Sequence, residues 1–112
     1  MKVLVVDDTA LLLKSYERLI RSMGHEVKVA ADPVEAMRII PDFEPDLIIS
    51  DWDMPKMNGG EFCARLRKLG ITTRLYIVSG EAREAEALEC GAHGSFTKPL
   101  MKLDLDALLH EK

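Results

Sequence analysis

The sequence predicts an α/β fold: a doubly wound, five-stranded parallel sheet with helices on both faces. Three observations predict it. Short apolar runs alternate with longer stretches at helical spacing, five times over. Those runs are continuous rather than alternating, so both faces of the sheet are covered, as in parallel sheets. Acidic and hydroxyl residues then sit at the carboxyl ends of the runs, where open parallel sheets place their sites.

The elements follow in order. "KVLVV" (2–6) is a β-branched strand ending in "DDT". In 10–24 the apolar residues Leu12, Tyr16, Leu19, Ile20 and Met23 recur at helical spacing, and Gly24 stops the helix. "HEVKVA" (25–30) is a short second strand. A helix over 32–40 opens with Asp32 as cap and Pro33 in the first turn, and "PDFEP" ends it. "DLIIS" (46–50) is the third strand, 54–60 a loop, and 61–70 a helix closed by Gly70. "RLYIVSG" (74–80) is the fourth strand and 81–91 a short helix. A fifth strand in 94–99 stops before Pro99, and 102–112 is the closing helix. No repeat or linker divides the chain, so residues 1–112 read as one domain.

Composition narrows the function. The net charge is −4, whereas sequence-independent nucleic-acid binders are basic, so no direct nucleic-acid partner is expected. Cys63 and Cys90 form neither a metal motif nor a disulfide framework, which suits a reducing, cytoplasmic setting. The first apolar run is broken by Asp7 and Asp8, and no run approaches a membrane span, so no membrane insertion is expected.

The strand ends carry the chemistry. Strand one ends in Asp7 and Asp8, strand three in Asp51, strand four in Ser79 and Gly80, strand five in Lys98 and Pro99. With strand order 2-1-3-4-5 the acids and the hydroxyl converge, with Lys98 beside them. Two carboxylates about 4 Å apart repel by roughly 4 kcal/mol at an effective dielectric of 20. Such a cluster raises carboxylate pKa values or demands a cation, and hard oxygen ligands suit Mg²⁺. A cation and an ammonium group in an acidic pocket prepare it for added negative charge. A phosphoryl group transferred to a carboxylate meets that description.

The set "DD" (7–8), "DWDMPKMNG" (51–59), "SG" (79–80) and "TKP" (97–99) resembles the receiver domain of two-component response regulators, over essentially the whole chain. The "DWDMP" segment looks most like the single-domain chemotaxis type. The resemblance implies the flavodoxin-like strand order 2-1-3-4-5. It implies that Asp51 is the phosphoacceptor, and that Asp8 ligates Mg²⁺ directly and Asp7 mainly through water. It implies that Asp53 offers its backbone carbonyl to the metal, that Ser79 donates its hydroxyl to the phosphoryl group, and that Lys98 pairs with Asp51 and then with the phosphoryl group. Pro99 is expected to follow a cis peptide bond. The implied partners are a sensor histidine kinase or a histidine phosphotransfer protein as donor and a downstream protein target as output. The chain is expected to catalyse only its own phosphorylation and dephosphorylation, and is not otherwise an enzyme. His25, His93 and His110 are scattered, so the donor histidine belongs to another protein. The ending without a linker favours a stand-alone receiver.

Two other readings use the same residues. One is a receiver-like scaffold that binds partners without phosphorylation. The other is an aspartate-nucleophile phosphatase of the haloacid-dehalogenase class, whose D-x-D pair "DWD" satisfies; that pair would follow the first strand, and here it follows the third. Two departures from the receiver pattern stand out. Ser95 occupies the position where many receivers carry a switch aromatic three residues before the lysine; Phe96, its neighbour, is expected on the opposite face of the sheet. The segment between Ser79 and Gly91 is shorter than usual by nearly a helical turn.

Overall fold

The computed structural model describes residues 1–110. Strands and helices alternate strictly: β1 (Lys2–Val6), α1 (Ala10–Ser22), β2 (Glu26–Ala30), α2 (Pro33–Phe43), β3 (Leu47–Asp51), α3 (Gly59–Lys68), β4 (Arg74–Ser79), α4 (Glu84–Cys90), β5 (Gly94–Thr97) and α5 (Lys102–Leu109). The strands form one sheet in the order β2-β1-β3-β4-β5, and every pairing is parallel. The last two residues of the expected closing helix, 111–112, lie outside the described residues.

Successive strand residues point to opposite faces, and this sorts the core into two layers. Leu4, Val6, Ile48, Leu75 and Ile77 pack under α2, α3 and α4, where Ile40, Phe62 and Leu66 are buried with them. Val3, Val5, Leu47, Ile49 and Val78 pack under α1 and α5 with Tyr16, Ile20 and Leu105. Phe96 joins this second layer, its ring 5.7 Å from that of Tyr76. Ser95 pairs with Ile77 in register and so faces the other side, as the period of two requires.

Helix α5 ends at Leu109, short of the expected 102–112, and three other helix ends differ from the sequence reading. Helix α2 runs through Pro41 to Phe43. Proline removes one helical hydrogen bond, but Phe43 is buried, and burying a phenylalanine contributes roughly 1.5–3 kcal/mol. Glu44 then ends the helix in the left-handed region at φ 50°, its N–H donating to the Ile40 carbonyl at 2.9 Å. Helix α3 starts at Gly59, inside the expected loop, because Asn58 and Glu61 form a capping box: Asn58 Oδ1 accepts the Glu61 N–H at 2.8 Å, and Glu61 Oε1 accepts the Asn58 N–H at 3.0 Å. Helix α4 begins only at Glu84, because residues 80–83 turn back onto Ser79.

The start of α3 is pressed against the end of β3. The Gly59 N–H donates to the Trp52 carbonyl at 2.8 Å, and a Cβ on Gly59 would lie 2.5 Å from the Asp51 carbonyl oxygen. Gly59→Ala is therefore expected to cost about 1–3 kcal/mol despite alanine's better helix propensity, because two backbone segments must separate. Urea unfolding checks it; an alanine variant as stable as the parent would show that α3 is free to shift.

Candidate functional site

The parallel order brings the carboxyl ends of β1, β3, β4 and β5 to one edge of the sheet. Val6 is level with Ser50, Asp51 with Val78, and Ser79 with Thr97. The residues just past those ends therefore meet. Carboxylate oxygens of Asp7, Asp8 and Asp51 all lie within 4.8 Å of one another. Asp7 and Asp51 are buried, while Asp8 is exposed. The Lys98 ammonium sits 2.9 Å from Asp51 Oδ1 and 3.7 Å from Asp7 Oδ2. It is delivered by the end of β5, where its own N–H donates to the Ser79 carbonyl at 2.7 Å and the Lys98–Pro99 peptide is cis.

The electrostatics follow from this packing. Burial, reinforced by the neighbouring Asp7 charge, raises the Asp51 carboxyl above the ordinary carboxylate range, although the Lys98 bond and the Asp53 N–H oppose it. Burial works against the Lys98 ammonium, but the bond to Asp51 and the charges of Asp51 and Asp7 outweigh it and hold its pKa above the usual lysine value. One ammonium group cannot balance three carboxylates. The surplus negative charge and the hard oxygen donors fit a small divalent cation such as Mg²⁺.

The acids are not equivalent. Asp7 Oδ1 accepts the Thr9 N–H at 2.8 Å and Oδ2 faces Lys98, so both its oxygens are engaged. Among the described residues nothing bonds the Asp8 carboxylate. The Asp53 N–H reaches Asp51 Oδ1 at 3.4 Å, while Asp53 itself is exposed and its side chain stands outside the carboxylate cluster. Ser79 is buried, and its hydroxyl accepts the Glu81 N–H at 3.2 Å and the Arg83 Nε–H at 3.0 Å.

Arg83 is the residue that sequence reasoning missed. The sequence places it in the short helix over 81–91 with no role at the strand ends, yet its guanidinium lies 4.4 Å over the Trp52 ring beside the site. The available signal was that Arg83 is the one cation in the acidic run "EAREAEALE". Trp52 packs against the core beside the site, under Arg83.

The sequence matches the family described as "Response regulator receiver domain" over residues 3–110. The chain belongs to this receiver-domain family. Curated relatives of the receiver include the response regulator MprA of Mycobacterium avium, 32% identical over 88% of this chain and 45% of that protein. Another is the protein-glutamate methylesterase/protein-glutamine glutaminase of Thiobacillus denitrificans, 38% identical over 91% of this chain and 30% of that protein. A third, the sensor histidine kinase RcsC of Salmonella typhi, is 33% identical over 96% of this chain and 11% of that protein. The receiver thus spans less than half the length of these relatives. Among solved structures, the chemotaxis protein CheY4 of Vibrio cholerae superposes with a TM-score of 0.89 at 32% identity, covering 96% of this chain and 94% of that one. The Francisella response regulator 1452 receiver domain gives 0.87 at 30% identity, covering 96% and 93%.

Proposed function

We propose that this receiver takes a phosphoryl group onto Asp51 from a phosphohistidine of a sensor histidine kinase or a histidine phosphotransfer protein. It signals through altered contacts with a downstream protein. The observation that carries the reading is the 2.9 Å pair between Lys98 and a buried Asp51, set among Asp7 and Asp8 at the edge of the sheet. An Asp51 oxygen attacks phosphorus as the phosphorus–nitrogen bond to the donor imidazole breaks. Lys98 is close enough to follow the charge from the Asp51 oxygen to the phosphoryl oxygens, and Ser79 supplies a hydroxyl at the next strand end. A Mg²⁺ ion held by Asp7, Asp8, Asp51 and the Asp53 backbone carbonyl would neutralise those same oxygens. Positioning and charge stabilisation account for the catalysis, which is confined to forming and hydrolysing this chain's own aspartyl-phosphate. The setting proposed is the cytoplasm; among the described residues no helix is long and apolar enough to cross a membrane.

Acetyl phosphate with Mg²⁺ tests the reading. One phosphoryl group should appear on Asp51 by mass mapping, and EDTA should prevent it. Modification at Ser79 or at a histidine instead would sink the assignment.

The unequal engagement of the acids gives a second expectation. Asp8→Ala should weaken Mg²⁺ binding by about tenfold or more, and Asp7→Ala by less, because the Asp7 oxygens already serve Thr9 and Lys98. Calorimetric titration of Mg²⁺ measures both, and equal losses would contradict the assigned roles. Relief of repulsion alone would make Asp7→Ala stabilise the metal-free fold. The lost Thr9 bond, typically about 1 kcal/mol, opposes that gain.

A further inference from the structure

A serine hydroxyl has one proton and two acceptor lone pairs. In Ser79 both protein partners are on the acceptor side, since the Glu81 amide and the Arg83 Nε–H can only donate. The hydroxyl proton is therefore turned away from residues 81–83. Arg83 is itself held from several directions. Its guanidinium covers Trp52 at 4.4 Å, Nη1 bonds Glu86 at 2.9 Å and Nη2 bonds Glu81 at 3.3 Å, leaving the side chain only 19% exposed. Trp52 is fixed in turn, its N–H on the Val78 carbonyl at 2.9 Å and its carbonyl on Gly59 at 2.8 Å. An exposed arginine keeps much of its rotamer freedom, whereas this one is immobilised by the end of β3, the β4–α4 loop and α4 itself.

We propose that Arg83 is a positioning residue for phosphoryl transfer: its Nε–H occupies a lone pair of Ser79 and so aims the Ser79 hydroxyl proton at the phosphoryl group on Asp51. The inference rests on the reading of Asp51 as phosphoacceptor. Arg83 needs no contact with the phosphoryl group to act this way. Without it the Glu81 N–H still holds one acceptor position, so the hydroxyl proton has two staggered positions instead of one and the productive one is populated about twofold less; a strained or lost bond deepens the effect to about tenfold.

A double-mutant cycle on the full chain tests it, with beryllium fluoride as the phosphoryl mimic at saturating Mg²⁺ and affinity read by titration calorimetry. Ser79→Ala and Arg83→Gln should each weaken binding of the mimic by about two- to tenfold. In the Ser79→Ala background Arg83→Gln should add nothing, because its effect passes through that hydroxyl. Arg83→Lys keeps the charge and lacks the Nε–H donor in the guanidinium plane, so it should behave as Arg83→Gln does; it also carries the test if the glutamine variant does not fold. Wild-type affinity in either Arg83 variant overturns the inference, as do effects that multiply in the double variant. Failure of the wild type to bind the mimic, or equal binding by Asp51→Asn, overturns the phosphoacceptor reading and this inference with it. Loss of binding in Asp51→Asn with no Arg83 effect overturns the inference alone.

Discussion

Asp51→Asn is expected to abolish phosphoryl uptake and, in the metal-free protein, to increase stability. The first effect is chemical: a neutral amide is no nucleophile for phosphorus, while its shape leaves the β3 end intact. The second follows from linkage. Burial and the Asp7 charge raise the Asp51 carboxyl in the folded protein above its ordinary value. The folded state therefore holds that proton more tightly than the unfolded chain does. Stability falls as pH rises from the unfolded pKa through the folded one, and an ionised Asp51 is a net burden at neutral pH. Asparagine removes the burden, part of which Lys98 already offsets. Urea midpoints between about pH 4 and pH 8 measure it: the parent should lose stability just above the ordinary carboxylate range, and Asp51→Asn should lack that slope. Mg²⁺ at about a hundredfold above its dissociation constant should return about 2.7 kcal/mol to the parent and much less to the variant. A metal-free Asp51→Asn less stable than the parent would mean that the Lys98 attraction outweighs burial and repulsion together.

Lys98→Met should separate phosphoryl transfer from metal binding. Lys98 is the cation of the cluster, 2.9 Å from Asp51 and 3.7 Å from Asp7. Removing a group aimed at developing phosphoryl charge typically costs about 10²–10³ in rate, and that loss is expected here with acetyl phosphate at saturating Mg²⁺. Breaking a fully buried ion pair costs about 3–5 kcal/mol. The Lys98 side chain is 26% exposed, so solvent screening lowers the expectation to about 1–3 kcal/mol in the metal-free protein. Mg²⁺ should bind more tightly, because the competing ammonium is gone and the acids remain. Slow transfer with tighter metal binding is the signature; a transfer rate within about threefold of the parent would remove Lys98 from the chemistry.

Local signals were enough for the elements and for a parallel sheet, while the strand order 2-1-3-4-5 came from the family resemblance. Continuous apolar runs marked β1, β3 and β4 and helical spacing the helices, because periodicity is a property of neighbouring residues; the edge strands β2 and β5 carry no such run. The convergence of strand-terminal Asp7, Asp8, Asp51, Ser79 and Lys98 was legible for a related reason: a parallel sheet sends every strand's carboxyl end to one edge. The side of the sheet taken by Phe96 followed from the period of two, and the start of α3 was written in the spacing of Asn58 and Glu61, although it was read as loop. The end of α2 was not legible, since Pro41 argued locally for a stop and only the buried place of Phe43 carries the helix on. The unequal standing of Asp7 and Asp8 was implied only by the family resemblance; what the structure adds is that Thr9 and Lys98 engage Asp7, while among the described residues nothing bonds Asp8. Arg83 shows the boundary most sharply. By itself it is one charge in an acidic helical run; stacked on Trp52 and bonded to Ser79, it becomes part of the site. Sequence determines which groups each strand end presents, while burial and hydrogen-bond partners come from segments distant in the chain, so only the tertiary structure decides which of those groups are aimed.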